Sequence, residues 1–63
     1  MLKIEIAKST ACLMLKDEKD NLLDYHFINK YYFENVMTPE ELEDFIEDFA
    51  AKNELTDYIL GEL

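Results

Sequence analysis

The stretch Thr38-Pro39-Glu40-Glu41-Leu42-Glu43-Asp44-Phe45-Ile46-Glu47-Asp48-Phe49 decides the fold, because it specifies both where a helix starts and which face that helix buries. Thr38 suits an N-cap, Pro39 supplies the fixed φ favoured at the first helical position, and Glu41 completes a Thr-x-x-Glu capping box. Leu42, Phe45, Ile46, Phe49 and Ala50 recur at i, i+3, i+4, i+7 and i+8, which gathers them on one stripe facing a core. Lys52 and Asn53 supply a cation and a cap at the far end, so the helix is expected over residues 39–52. The quoted stretch holds six carboxylates and no cation. Acids in its first turn suit the helix dipole, but Glu47 and Asp48 lie beyond that dipole's reach. An ordinary surface helix sets Lys four residues from Glu, and without it each like-charged pair costs a few tenths of a kcal/mol.

Upstream of the helix the periodicity changes to two. Leu2, Ile4 and Ile6 alternate with Lys3 and Glu5, the pattern of a half-buried strand. Ala7-Lys8-Ser9-Thr10 interrupts it as a turn or as a bulge in a longer strand. Cys12 to Lys16 is a second apolar run, and Asp17-Glu18-Lys19-Asp20-Asn21 separates it from Leu22 to Ile28 with polar turn formers, a hairpin signature. In the later strand Leu23, Tyr25 and Phe27 are expected on one face and Asp24, His26 and Ile28 on the other, with the strand running on through Asn29 towards Phe33. Residues 54–63 have both helical and alternating spacing, and a strand closing the sheet is the reading adopted here. The fold class is therefore α+β: a single domain over residues 1–63, with a small antiparallel sheet of three to four strands and one amphipathic acidic helix packed on it.

Composition bounds the function. A chain of 63 residues buries only about 60% of its unfolded surface, so its core is marginal alone and a dimer would help. Eight residues are Tyr or Phe, and the consecutive Tyr31-Tyr32-Phe33 must push at least one ring outward, making a contact surface. Residues 38–63 hold nine acids against Lys52 alone, whereas residues 1–37 hold six acids and five lysines, so the negative field is local. With no Arg anywhere and a net charge of −9, direct nucleic-acid binding is disfavoured on electrostatic grounds and a basic partner is expected. The single Cys12, in an apolar run, reads as a small core residue of a cytoplasmic protein. No signal peptide or apolar run of membrane-spanning length is visible, so no membrane partner is expected.

Catalysis has little to build on. Cys12 and His26 form the one conceivable Cys-His pair, Ser9 and Thr10 have no nearby base, and a lone Gly61 excludes a glycine-rich phosphate cradle. Asp17, Glu18 and Asp20 lack the Gly and the later Glu of a calcium loop, and Lys19 opposes an ion, so they read as a solvated turn. No enzyme activity, metal or cofactor is expected. Carboxylates four residues apart recur every ~6 Å along a helix, the same order as one phosphate per ~3.4 Å of a DNA strand. Such a face could compete for a DNA-binding groove.

The run Cys12 to Asn21 followed by Asp24-Tyr25-His26, with Asp44-Phe45 in the helix and a final strand, resembles the small dimeric uracil-DNA glycosylase inhibitors of certain Bacillus phages. The resemblance covers about residues 11–63. The longer, more acidic helix and the additional amino-terminal strand depart from the family pattern. The resemblance implies a homodimer that plugs the DNA-binding cleft of uracil-DNA glycosylase in the host cytoplasm, its acids imitating phosphates and an apolar pocket gripping the enzyme's intercalating leucine. By this match Asp24 is an acidic contact and Phe45 helps form the apolar pocket between subunits. The residues expected to meet the partner are thus Asp24, Glu40, Glu43, Asp44 and Glu47 as charge, and Tyr31, Tyr32 and Phe45 as apolar anchors. The alternatives are an acidic protein-binding module of regulatory or antitoxin-like kind, or a phage inhibitor of another nuclease such as a CRISPR effector.

Overall fold

The computed structural model describes residues 1–63. Strands β1 (Lys3–Ala7), β2 (Cys12–Lys16) and β3 (Leu22–Phe27) are followed by a short helix α1 (Lys30–Asn35), the long helix α2 (Pro39–Lys52) and strand β4 (Ile59–Glu62). The architecture is α+β, with the four strands in one sheet of order β3-β2-β1-β4. No helix is long and apolar enough to cross a membrane.

Alternation dictates which face of the sheet meets the helices. Ile4 and Ile6 of β1 pair with Leu15 and Leu13 of β2, and these four join Ile46, Phe49 and Ala50 of α2 in one core. Their neighbours Glu5, Ala7, Cys12 and Met14 therefore point to the other face, which no helix covers. The residues between β1 and β2 form a tight turn, resolving the choice between turn and bulge. Ala11 closes that turn at φ 52° while fully buried, and its carbonyl accepts from the Ile28 N–H at 2.7 Å.

The sheet is mixed, which corrects the antiparallel expectation. Strand β4 pairs with β1 in parallel, Ile4 opposite Leu60 and Glu5 opposite Gly61. The reason is the route of the chain. Two antiparallel steps make β3 parallel to β1, and a strand that follows helices laid across one face re-enters the sheet in the direction of the strand that preceded them. A second correction concerns residues 29–33, where a continued strand was expected. Asn29 instead caps α1, its side chain accepting from the Tyr32 N–H at 2.9 Å. A third is a register shift between Leu15 and Lys16, which sets Leu22 opposite Lys16. Leu22 is thereby brought to the face of Tyr25 and Phe27.

Helix α2 has the bounds and the stripe that its sequence specifies. Both halves of the Thr38–Glu41 capping box form, Ile46, Phe49 and Ala50 are buried, and Leu42 and Phe45 are half-buried. At its end the Leu55 N–H bonds the Ala50 carbonyl and the Glu54 N–H bonds the Ala51 carbonyl, a Schellman motif that requires Glu54 at φ 58°.

Candidate functional site

The cap and stripe of α2 fix its rotation, and rotation fixes where its acids point. With Ile46 and Phe49 held in the core, Glu40, Glu43, Asp44, Glu47 and Asp48 are all exposed. None of these five has a cation within 4.0 Å, although every lysine except Lys19 and Lys30 is ion-paired elsewhere. Glu41 is the exception among the six acids. It is half-buried, closes the capping box and accepts from the Tyr32 hydroxyl. That hydroxyl, followed by the Thr38 N–H, holds the Glu41 carboxyl below the usual carboxylate range, and the same bond raises the Tyr32 phenol.

The remaining expected contact residues fall in different places. Phe45 lies between the acidic face and the edge strand β3, with its ring stacked against His26 at 6.3 Å between centroids. A groove of about 240 Å³ runs there, lined by His26, Phe45, Asp48, Phe49 and Lys52. A second hollow of about 230 Å³ adjoins it, lined by Glu41, Asp44, Phe45 and Asp48. The structure thus brings Asp44 and Phe45 together in a concavity with an aromatic floor and carboxylate walls. Asp48 and His26 belong to it as well and were not among the expected contact residues; the signal for Asp48 was its helical spacing from Asp44.

Asp24 is not free. It accepts from the Asn53 side chain at 3.1 Å and lies 3.5 Å from the Lys52 ammonium, so it ties the end of α2 to strand β3. The Asn53 amide and then the Tyr25 N–H hold its carboxyl below the usual range. Tyr31 projects from α1 with 71% of its surface exposed, whereas Tyr32 is anchored to Glu41. The Cys12 thiol and the His26 ring lie on opposite faces of the sheet, since Cys12 pairs with Phe27 and His26 with Leu13. Burial raises the Cys12 thiol above its ordinary value.

A second surface, behind the sheet, was only partly legible. Glu5 is 7% exposed on the uncovered face, with Lys16 Nζ 2.7 Å from Oε1 and Lys3 Nζ 3.7 Å from Oε2. Oε1 has no donor aligned on it in hydrogen-bond geometry, yet the nearby ammonium matches its charge. The Glu5 carboxylate in turn raises the Lys16 ammonium above its ordinary value. Gly61 lies beside this group, where a Cβ would sit in ordinary van der Waals contact with the Lys3 stem at 3.4 Å.

Fold and surface together define the class: a small α+β protein with one sheet face under an acidic helix and the other bare. No protein-family model matches the chain, no curated protein matches it, and no solved structure matches its fold.

Proposed function

We propose that the protein is a non-catalytic, DNA-mimicking inhibitor that occupies the DNA-binding site of a DNA-processing enzyme in the cytoplasm of a phage host, with uracil-DNA glycosylase as the target. The observation that carries this reading is the row of exposed carboxylates on α2 with no cation near them. A surface that served solubility alone would gain stability from interspersed lysines, so the uncompensated row supports a role in meeting a basic partner. Glu40, Glu43, Asp44 and Glu47 supply the charge and draw a basic cleft into contact, giving fast association that slows as salt rises. Phe45, in its groove beside His26, supplies apolar contact and slows dissociation. Tyr31 is a free ring that can join the contact, and Tyr32 acts through Glu41, holding the first turn of α2. Asp24 serves the fold more than the partner, because Lys52 and Asn53 already occupy it.

Two alternatives keep the same acidic contact. One is a mimic aimed at another nuclease, such as a CRISPR effector. The other is an acidic regulatory or antitoxin-like module, which the open edge strand β3 favours because an unpaired edge can receive a strand from a partner.

The test is a uracil-excision assay with bacterial uracil-DNA glycosylase and stoichiometric protein, alongside a Glu43→Lys, Asp44→Lys, Glu47→Lys variant. Full inhibition that is lost in a folded variant is the expected result. Undiminished excision by wild type would remove the glycosylase from the proposal, and binding to a captured target that DNA cannot displace would favour the regulatory module.

A further inference from the structure

We propose that the uncovered sheet face is the seat of a second copy of this chain, packed sheet to sheet so that the two acidic helices lie outermost. The proposal deepens the homodimer expected above by naming its interface, and it stands or falls independently of mimicry.

The face is built from three rows across the sheet. Phe27, Cys12 and Ala7 form the first, and Tyr25, Met14, Glu5 and Gly61 the second. Leu22, Lys16, Lys3 and Ile59 form the third. Phe27 is 62% exposed and Tyr25 54%, their rings edge-to-face at 5.5 Å, and Leu22 and Ile59 are about as open. Large aromatic and aliphatic side chains left half open in this way present roughly 100 Å² each, so these four from each of two copies hide roughly 800 Å² between them, the size of a weak interface. That size fits a concentration-dependent dimer.

Charge selects the occupant. The charged side chains among these rows are Glu5, Lys3 and Lys16, which are already paired with one another; Glu5 and Lys16 are largely withdrawn from water, and the half-open Lys3 keeps its carboxylate partner when covered. The face therefore offers nothing to a strongly basic or acidic partner. Its own copy matches it, because stacked sheets lie ~10 Å apart and each carries its helix on the far side. That arrangement sets the two α2 axes about 30 Å from each other, several times the ~8 Å screening length. Docking through the helices would instead press one row of carboxylates on another. An interface built around Phe45, which the family resemblance implies, lies on the helix side and carries that repulsion. The sheet-face dimer presents two acidic faces pointing in opposite directions.

The experiment is sedimentation equilibrium of the wild-type chain from micromolar to millimolar concentration, with a Tyr25→Thr, Phe27→Thr variant and, separately, Phe45→Ala. Far-UV circular dichroism checks folding, and both rings of the first variant are solvent-exposed in the monomer. The expected result is a wild-type dimer whose dissociation constant rises about 30-fold or more in the double variant, while Phe45→Ala stays within about threefold. Isotope-filtered NOEs in a mixed-label dimer should connect the Phe27 ring to Met14 or Ile59 methyls of the other copy. A wild type monomeric at millimolar concentration would overturn the proposal, as would a dimer indifferent to the double variant or one dissolved by a folded Phe45→Ala. None of these outcomes bears on inhibition by the acidic face, which the excision assay decides.

Discussion

The two broad surfaces of this molecule solve the same problem in opposite ways. Each exposes more than a 63-residue chain needs for solubility, but the helix side leaves five carboxylates without cations, whereas the bare sheet side pairs its single carboxylate with two lysines. Unmatched charge is tolerable in water and attracts something of opposite sign. Matched charge amid open aromatic rings is tolerable only until something covers it. The difference teaches that the acidic composition is arranged, with the field on one face and the adhesive apolar area on the other.

The comparison is broken most severely from the layer both surfaces share. Leu13 is fully buried between them, and Leu13→Ala is expected to cost about 2–5 kcal/mol, enough to unfold most of a domain this small and erase both faces in a urea titration. Removing the charge partner on the sheet side comes next. Glu5→Ala strands the Lys16 ammonium with only Asp20 at 3.5 Å, and a loss of about 1–2 kcal/mol is expected, read in the same titration.

Helix-side changes are smaller. Glu54 adopts a left-handed conformation at the end of α2, so Glu54→Gly is expected to stabilise the chain by about 0.5–1 kcal/mol, raising Tm without touching the acidic row. The bond between Tyr32 and Glu41 gives a pH signature. Because the folded state depresses the Glu41 carboxyl, that contribution is complete above its ordinary value of about 4.3 and is lost as pH falls through the lower folded value. Tyr32→Phe should therefore lower Tm in the neutral region and leave the strongly acid end nearly unchanged, which flattens the acid limb of a Tm-versus-pH curve. The smallest effect sharpens the comparison most. Glu47→Lys replaces a like-charge contact with Glu43 by an attractive one, so it should add a few tenths of a kcal/mol of stability while weakening inhibition.

How much could be read in advance depended on how local the cause was. Helix α2 was legible to its ends because Thr38, Pro39, Glu41 and the Leu42 to Ala50 stripe all act within a few residues of one another. The hairpin of β2 and β3 was legible because Asp17 closes its turn internally, accepting from the Lys19 and Asn21 N–H groups at 2.9 Å. Tyr31-Tyr32-Phe33 misled, since aromatic residues favour strands while the deciding contacts are the Asn29 cap and the reach of Tyr32 to Glu41. The direction of β4 was hidden because it follows from how the helices cross the sheet. Glu5 looked like the solvent side of an alternating strand, and its burial depends on Lys16, eleven positions along the chain. At the candidate site, the acidic row was legible as spacing. The groove beneath it was not, because His26 and Phe45 meet only when β3 and α2 pack.

The most direct test of the division between the two surfaces is the excision assay run with one altered face at a time, Glu43→Gln, Asp44→Asn, Glu47→Gln against Tyr25→Thr, Phe27→Thr, each confirmed as folded. The account predicts that neutralising the helix face raises the protein concentration needed for half inhibition by more than tenfold, while the sheet-face variant still inhibits at one chain per enzyme. Inhibition that survives neutralisation of the helix face and disappears with the sheet-face rings would contradict it.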